Sequence, residues 1–211
     1  MGALGGQIAA VTGGTHGVGR AIAEAYEREG ATVVVNGDAP AKAAVEGLLD
    51  QTANEHGALD IVVLSAGEVT DGDPIASLTD DDWQRILDLH LNHIFWGIRR
   101  ALHHMIPRGR GRIVVVSTVE GKLPRPGASA YAAAKHGVNG LVKSVAREVG
   151  TQGIAVNALL AGSTEESHAL SKLGRRNTTN EVAKVAVLLA SPSVTSITGC
   201  MFPVDGGTMP Y

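Results

Sequence analysis

Cysteine is nearly missing from this sequence of 211 residues. Cys200 stands alone, so no intrachain disulfide can form, and a reducing compartment fits that usage. No apolar run approaches the ~20 residues needed to span a bilayer. No basic stretch followed by a long apolar one opens the chain, so a secretory signal is not expected. A basic stripe is lacking too. The formal net charge of -3 argues against nucleic acid or an acidic membrane as the main partner. The one locally basic run, RGRGR at 108–112, lies between two structured segments and is expected to be a solvated turn. Hydrophobic residues make up 44% and charged residues 18%, which excludes disorder and suits a globular chain. The expectation is a cytoplasmic protein with one domain spanning 1–211.

What is present alternates. The runs at 8–11, 32–35, 60–64, 112–116, 154–159 and 200–204 are apolar on both faces and rich in β-branched residues, as strands buried on both sides are. Helical patterns occupy 18–29, 41–56, 80–106, 129–150 and 180–190. Thr79 with Asp82 forms a helix-start signal for the third of these. The βαβα order predicts a Rossmann-type α/β fold: a doubly wound parallel sheet with helices on both faces, in three layers.

Two motifs carry chemistry. TGGTHGVG at 12–19 lies between the first strand and the first helix. Its glycines, Gly13, Gly17 and Gly19, would let the backbone turn tightly and bring N–H groups and a helix N-terminus to a pyrophosphate. The spacing is G-x-x-x-G-x-G, and alone it reads equally well as a plain turn. YAAAK places Tyr131 and Lys135 one helical turn apart on one face. A phenol titrates near ~10 and is a poor base at neutral pH. An adjacent ammonium favours its ionised form, which makes the pair a candidate for proton transfer.

Taken together, six ordered segments resemble the short-chain dehydrogenase/reductase family. They are TGGTHGVG, LDIVVLSAG, RIVVVSTVEG, YAAAK, GIAVNALLAG and the C-terminal EVAKVAVLLASPSVTSITGCMFPVDGG. The resemblance implies an NAD(P)-dependent oxidoreductase that moves a hydride between a nicotinamide and a secondary alcohol or ketone. It implies that Tyr131 is the acid/base, with Lys135 tuning it and holding the nicotinamide ribose. It places cofactor contacts at Gly13, Thr15, His16, Gly17, Val18 and Gly19, at Asp38, at Ala66 and Gly67, and at Tyr131 and Lys135. It also implies a homodimer or homotetramer through the helices at 80–106 and 129–150.

Several positions depart from the family pattern. The catalytic Ser position, thirteen before the Tyr, is Thr118, and strand alternation turns Ser117 to the other face. The relay Asn position aligns with His90 rather than Asn92; His90 either passes a proton or is a satisfied core residue. Ser65 stands where an Asn braces the central strands, and Ala161 stands where the family has Pro. Asp38, about 20 residues past the glycine turn, favours NAD over NADP because an acid there repels a 2′-phosphate. His93, His103 and His104 lack a metal-ligand pattern and are expected to be solvated or at an interface, so no metal is expected. Trp83 and Trp96 are expected to pack.

Two segments are short. After the second strand, about one helix and one strand of the family pattern are missing. After Gly162 only STEESHALSKL stands where a substrate lid would be. Omitted stretches would restore seven strands, whereas a true shortening leaves six and a poor adenine pocket. The rival functional reading is therefore a dinucleotide-binding scaffold or sensor with impaired catalysis.

Overall fold

The computed structural model describes residues 2–37, 41–65, 74–162 and 171–209. Six strands form one sheet: β1 (Ile8–Val11), β2 (Thr32–Val35), β3 (Ile61–Leu64), β4 (Gly111–Thr118), β5 (Ile154–Ala161) and β6 (Met201–Val204). Every neighbouring pair is parallel, in the order β2-β1-β3-β4-β5-β6. The doubly wound fold expected from the sequence is observed.

Side-chain alternation divides the sheet between two cores. Ile61, Val63 and Val114 face α1 (Gly17–Arg28) and α6 (Thr179–Ala190). Val62, Leu64, Ile113 and Val115 face α2 (Lys42–His56), α4 (His93–Met105) and α5 (Ser129–Val149). All seven are essentially inaccessible to water. Burying each such side chain stabilises the fold by about 1.5–3 kcal/mol before chain entropy is counted.

The chain leaves β2 through the single helix α2 and enters β3 on the far side of β1. That reversal puts α2 on the face opposite α1. Among the described residues no strand pairs with the outer edge of β2, so the sheet has six strands. Val35, at the end of that edge, is 41% exposed.

The helix expected over 80–106 is three pieces. α3 (Asp80–Leu87) gives way to a π-helical turn at Asp88–Asn92 and then to α4. Hydrophobic periodicity does not reveal the extra residue of a π turn, and such turns collect at functional sites. Thr79 caps α3 by accepting the Asp82 N–H at 3.1 Å. A reciprocal capping box, absent from the sequence reading, starts α6: Thr178 accepts from Glu181 N–H, and the Glu181 carboxylate accepts from Thr178 N–H.

The basic run is not a free solvated turn. Arg108 and Arg110 both reach the buried carboxylate of Asp60, at 3.0 and 3.2 Å, and that carboxylate also accepts the N–H of Ile8. Trp83 is 37% exposed rather than packed. Of the histidines, His103 is exposed, His104 pairs with Asp50 at 2.8 Å, and His93 is buried. Burial of His93 corrects the solvated reading.

Candidate active site

The carboxyl ends of β1, β3, β4 and β5 open on one side of the sheet, where a parallel α/β fold places its ligands. The glycine turn sits at the end of β1. Gly13 and Gly17 have φ of +60° and +53°, a region that side-chain-bearing residues avoid. A Cβ on Gly19 would collide with the carbonyl of Gly13. The turn is anchored to the end of β2 by the Gly14 N–H, which donates to Asn36 O at 2.9 Å.

α1 begins at Gly17 with His16 as its N-cap, without a side-chain cap and without an acid in its first turn. Its leading N–H groups and the positive end of its dipole are thus left to an outside anion. This turn fits a dinucleotide pyrophosphate. Thr15 and His16 are exposed on it, Val18 is half-buried, and Gly19 is buried beneath. Asp38, Ala66 and Gly67 lie outside the described residues, as does the segment 163–170.

Thr12, Ser65 and His93 tie this end of the site together. The Thr12 hydroxyl donates to Ser65 O at 2.9 Å and accepts from Ser65 N–H at 3.0 Å. His93 Nε2 lies 2.9 Å from the same oxygen. A hydroxyl has one proton, so with that proton on Ser65 O, His93 Nε2 carries the hydrogen and donates it. The brace that Ser65 was expected to lose is supplied by Thr12 and His93. The sequence reading missed His93 because its partner is 81 positions away.

The Tyr131 cluster lies beyond the end of β4, where Thr118 closes the strand. Tyr131 is 4% exposed, and the Thr118 side chain is near enough to favour its ionised form. Lys135, 3% exposed, holds its Nζ 5.5 Å from the centre of the Tyr131 ring. The ring of His90 meets the Tyr131 ring edge-on, with centroids 4.8 Å apart and planes at 87°. The π turn delivers His90 to that position. Asn92 is not there: its amide donates to Asp88 at 2.6 Å. Ser117 does face away, donating to Asn139 Oδ1 at 3.1 Å. The structure gathers Lys135 and His90 around the Tyr131 ring, with Thr118 near its phenol.

The electrostatics differ from the simple picture of an ammonium lowering a phenol. Burial pushes the Tyr131 phenol well above its usual value, and the charge of Glu120 pushes it further; the Thr118 hydrogen bond and Arg125 pull it back. Burial also pushes Lys135 down, to about 8. Without a dinucleotide, desolvation outweighs the pairing, and Tyr131 holds its proton at neutral pH. Among the described residues no group of His, Cys, Asp and Glu is placed to hold a metal ion.

A family model described as enoyl-(acyl carrier protein) reductase matches residues 34–209. The chain is 34% identical to 3-oxoacyl-[acyl-carrier-protein] reductase FabG of Vibrio harveyi, covering 97% of this chain and 98% of the relative. It is 32% identical to the protein of that name from Escherichia coli K12, covering 96% and 97%. It is 30% identical to 3beta-hydroxysteroid dehydrogenase 2 of Eggerthella lenta, covering 99% and 96%. The first alignment runs over 239 residues against 211 in this chain, so the relative carries residues with no counterpart here. With the fold, the glycine turn and the Tyr131–Lys135 group in place, the matches establish that the chain belongs to the short-chain dehydrogenase/reductase family of nicotinamide-dependent oxidoreductases.

Proposed function

We propose that this protein reduces a ketone to a secondary alcohol, with Tyr131 as proton donor. The observation that carries this reading is the buried Tyr131 phenol, kept protonated by burial, with Lys135 and His90 against its ring. Thr118 and Tyr131 together would bind the carbonyl oxygen. Tyr131 gives that oxygen its proton as negative charge develops there. A bound nicotinamide dinucleotide supplies the hydride.

The turn of Gly13, Thr15, His16, Gly17, Val18 and Gly19 would hold its pyrophosphate, and Lys135 its nicotinamide ribose. When Lys135 is protonated, its ammonium steadies the phenolate left on Tyr131. His90, against the Tyr131 ring, is placed to return a proton to it, which makes it a relay residue in this reading. Asp38 remains the reason to expect NAD rather than NADP, and it speaks from the sequence alone.

The relatives' names pair a 3-oxoacyl group with a hydroxysteroid, and both are secondary alcohol/ketone couples. A small-molecule substrate of that class suits this site. The gathered acid–base residues favour catalysis over the scaffold reading. The exposed stripe of Phe95, Arg99 and His103 on α4 is the surface through which we expect a homodimer or homotetramer to form. No described helix is long and apolar enough to cross a membrane, and a cytoplasmic location accords with the lone cysteine.

The test is Tyr131→Phe, assayed with acetoacetyl-N-acetylcysteamine and with a 3-ketosteroid, each with NADH and NADPH. Turnover should fall by about 10²–10⁴, while circular dichroism and thermal unfolding stay close to the parent. Undiminished turnover would remove the proposal. Titration of both dinucleotides on the same samples decides between NAD and NADP.

A further inference from the structure

One buried amide on the helix of the acid–base pair has no part in the reaction as derived. Asn139 lies on α5 two turns past Tyr131 and one past Lys135, so the three share one stripe of the helix. It is 6% exposed, and Val138 and Val142 beside it on α5 are buried in the apolar core. Asparagine is a poor helix former, and a buried amide costs free energy unless it is hydrogen-bonded. Neither helix propensity nor apolar packing accounts for it here.

Both ends of the amide are used. Its Oδ1 accepts from the Ser117 hydroxyl at 3.1 Å, and its Nδ2 donates to Gly121 O at 2.9 Å. Ser117 is the last residue but one of β4, and Gly121 ends the 3-10 turn Val119–Gly121 that follows the strand. The approach is close. A Cβ on Gly121 would stand 2.6 Å from Asn139 Nδ2 and 3.0 Å from Lys135 O. The turn is thus pressed against α5 at two points of the stripe that carries Tyr131.

Thr118 lies between the two residues that Asn139 grips. Within the turn the Glu120 N–H points back to Thr118 Oγ1, at 3.4 Å. With Oγ1 accepting there, its own proton is left to donate. Asn139 therefore holds Gly121, the turn ending at Gly121 presents the Glu120 N–H, and that N–H orients the Thr118 hydroxyl.

We propose that Asn139 is a positioning residue for the reaction, fixing the Thr118 hydroxyl in register with the Tyr131–Lys135 stripe of its own helix. The inference rests on the reading that Thr118 and Tyr131 together bind the carbonyl oxygen. One amide sets both hydroxyls, because it belongs to the helix that carries the first and grips the chain on either side of the second. Two hydroxyls that share one oxygen tolerate little misplacement, and a displacement of about 1 Å costs roughly a hundredfold in rate.

The experiment is steady-state kinetics with acetoacetyl-N-acetylcysteamine and the tighter dinucleotide. The variants are Asn139→Ala, Ser117→Ala, Thr118→Ala, and the doubles that join each of the first two to Thr118→Ala. Asn139→Ala should lower kcat by about tenfold to a hundredfold, with dinucleotide affinity unchanged. Ser117→Ala breaks one of the two bonds and should lose less.

The deciding readout is the coupling between sites. In a protein that already lacks the Thr118 hydroxyl, Asn139→Ala should change kcat little. A merely structural role would cost the same factor in both backgrounds, and that equality overturns the proposal. So does an Asn139→Ala protein that melts lower but turns over at the parent rate. If Asn139→Ala does not fold, Ser117→Ala with and without Thr118→Ala decides by the same rule. Thr118→Ala alone separates the two readings. If it loses turnover and the loss from Asn139→Ala is undiminished in its background, only the positioning role fails. If Thr118→Ala turns over like the parent, or the parent is inert on this probe, the reading of the carbonyl site fails and the inference with it.

Discussion

The two halves of the sheet are built differently. On the acid–base side, β4 and β5 are eight residues each, and β5 is buried at seven of its eight positions. α5, 21 residues long, lies across them and carries Tyr131, Lys135 and Asn139. On the nucleotide side, β2 has four residues, none fully buried, and forms the edge of the sheet. Among the described residues a single helix, α2, links β2 to β3. Proton transfer needs side chains held to a fraction of an ångström, and long buried strands supply that. The glycine turn offers a dinucleotide backbone N–H groups, which ask less of the sheet edge beside them. Long buried strands mark the first construction, and a short, partly exposed edge marks the second.

Lys135→Met sharpens the contrast most. Lys135 is buried on the rigid side and its folded pKa is pushed down from 10.5 to about 8. Burial penalises the Lys135 ammonium, which destabilises the fold at every pH below about 8. That penalty fades as pH rises from about 8 to 10.5, where the unfolded chain still holds its proton. A shift of this size corresponds to roughly 3 kcal/mol. Met has similar length and no charge. Turnover should therefore drop by at least about a hundredfold, while the dinucleotide-free protein melts higher at pH 7. The parent should grow more stable between pH 8 and 10.5, and the variant should not. A variant that loses stability would mean that the ammonium is well solvated or paired, and that the acid–base side is not under strain.

His93→Ala probes the other side. The imidazole joins α4 to the glycine turn and to the end of β3 through one hydroxyl, and it leaves a buried oxygen short of a donor when removed. The expected loss of stability is about 1–3 kcal/mol, read by urea unfolding. A severalfold weaker affinity for dinucleotide should accompany it. His93→Gln, which can still donate an N–H to Thr12, should restore part of both. Loss of stability with unchanged affinity would mean that the turn is set by its glycines and backbone alone.

Much of this division was legible in the sequence. Three of the six strands begin where their apolar runs begin and the other three lie within one residue, because a strand buried on both faces has little else in it. Tyr131 and Lys135 were brought together by i, i+4 spacing, which survives folding, and Thr118 was singled out only through the family resemblance. The counter-effect of burial on Tyr131 did not show, since i and i+4 place an ammonium near a phenol without saying how dry the place is. Asn139 and His93 were also silent. Each acts through a partner brought near only by the sheet, and His93 looked like one of several histidines on a long helix. The π turn that aims His90 was hidden because hydrophobic periodicity cannot register one added residue.

The smallest effect tests whether the two halves melt as one. Gly47 lies inside α2, exposed, with nothing within 4 Å of where a Cβ would stand. Glycine inside a helix is worth roughly 0.5–1 kcal/mol less than alanine, through backbone freedom in the unfolded chain. Gly47→Ala should therefore raise the melting temperature by about 1–4 °C, with turnover and dinucleotide affinity unchanged. That gain appears only if α2 is still folded when the rest unfolds. No gain at all, with a slower loss of β2 amide protection in hydrogen exchange, would show that β2 and α2 open before the acid–base side does. The difference in construction would then be a difference in cooperativity as well.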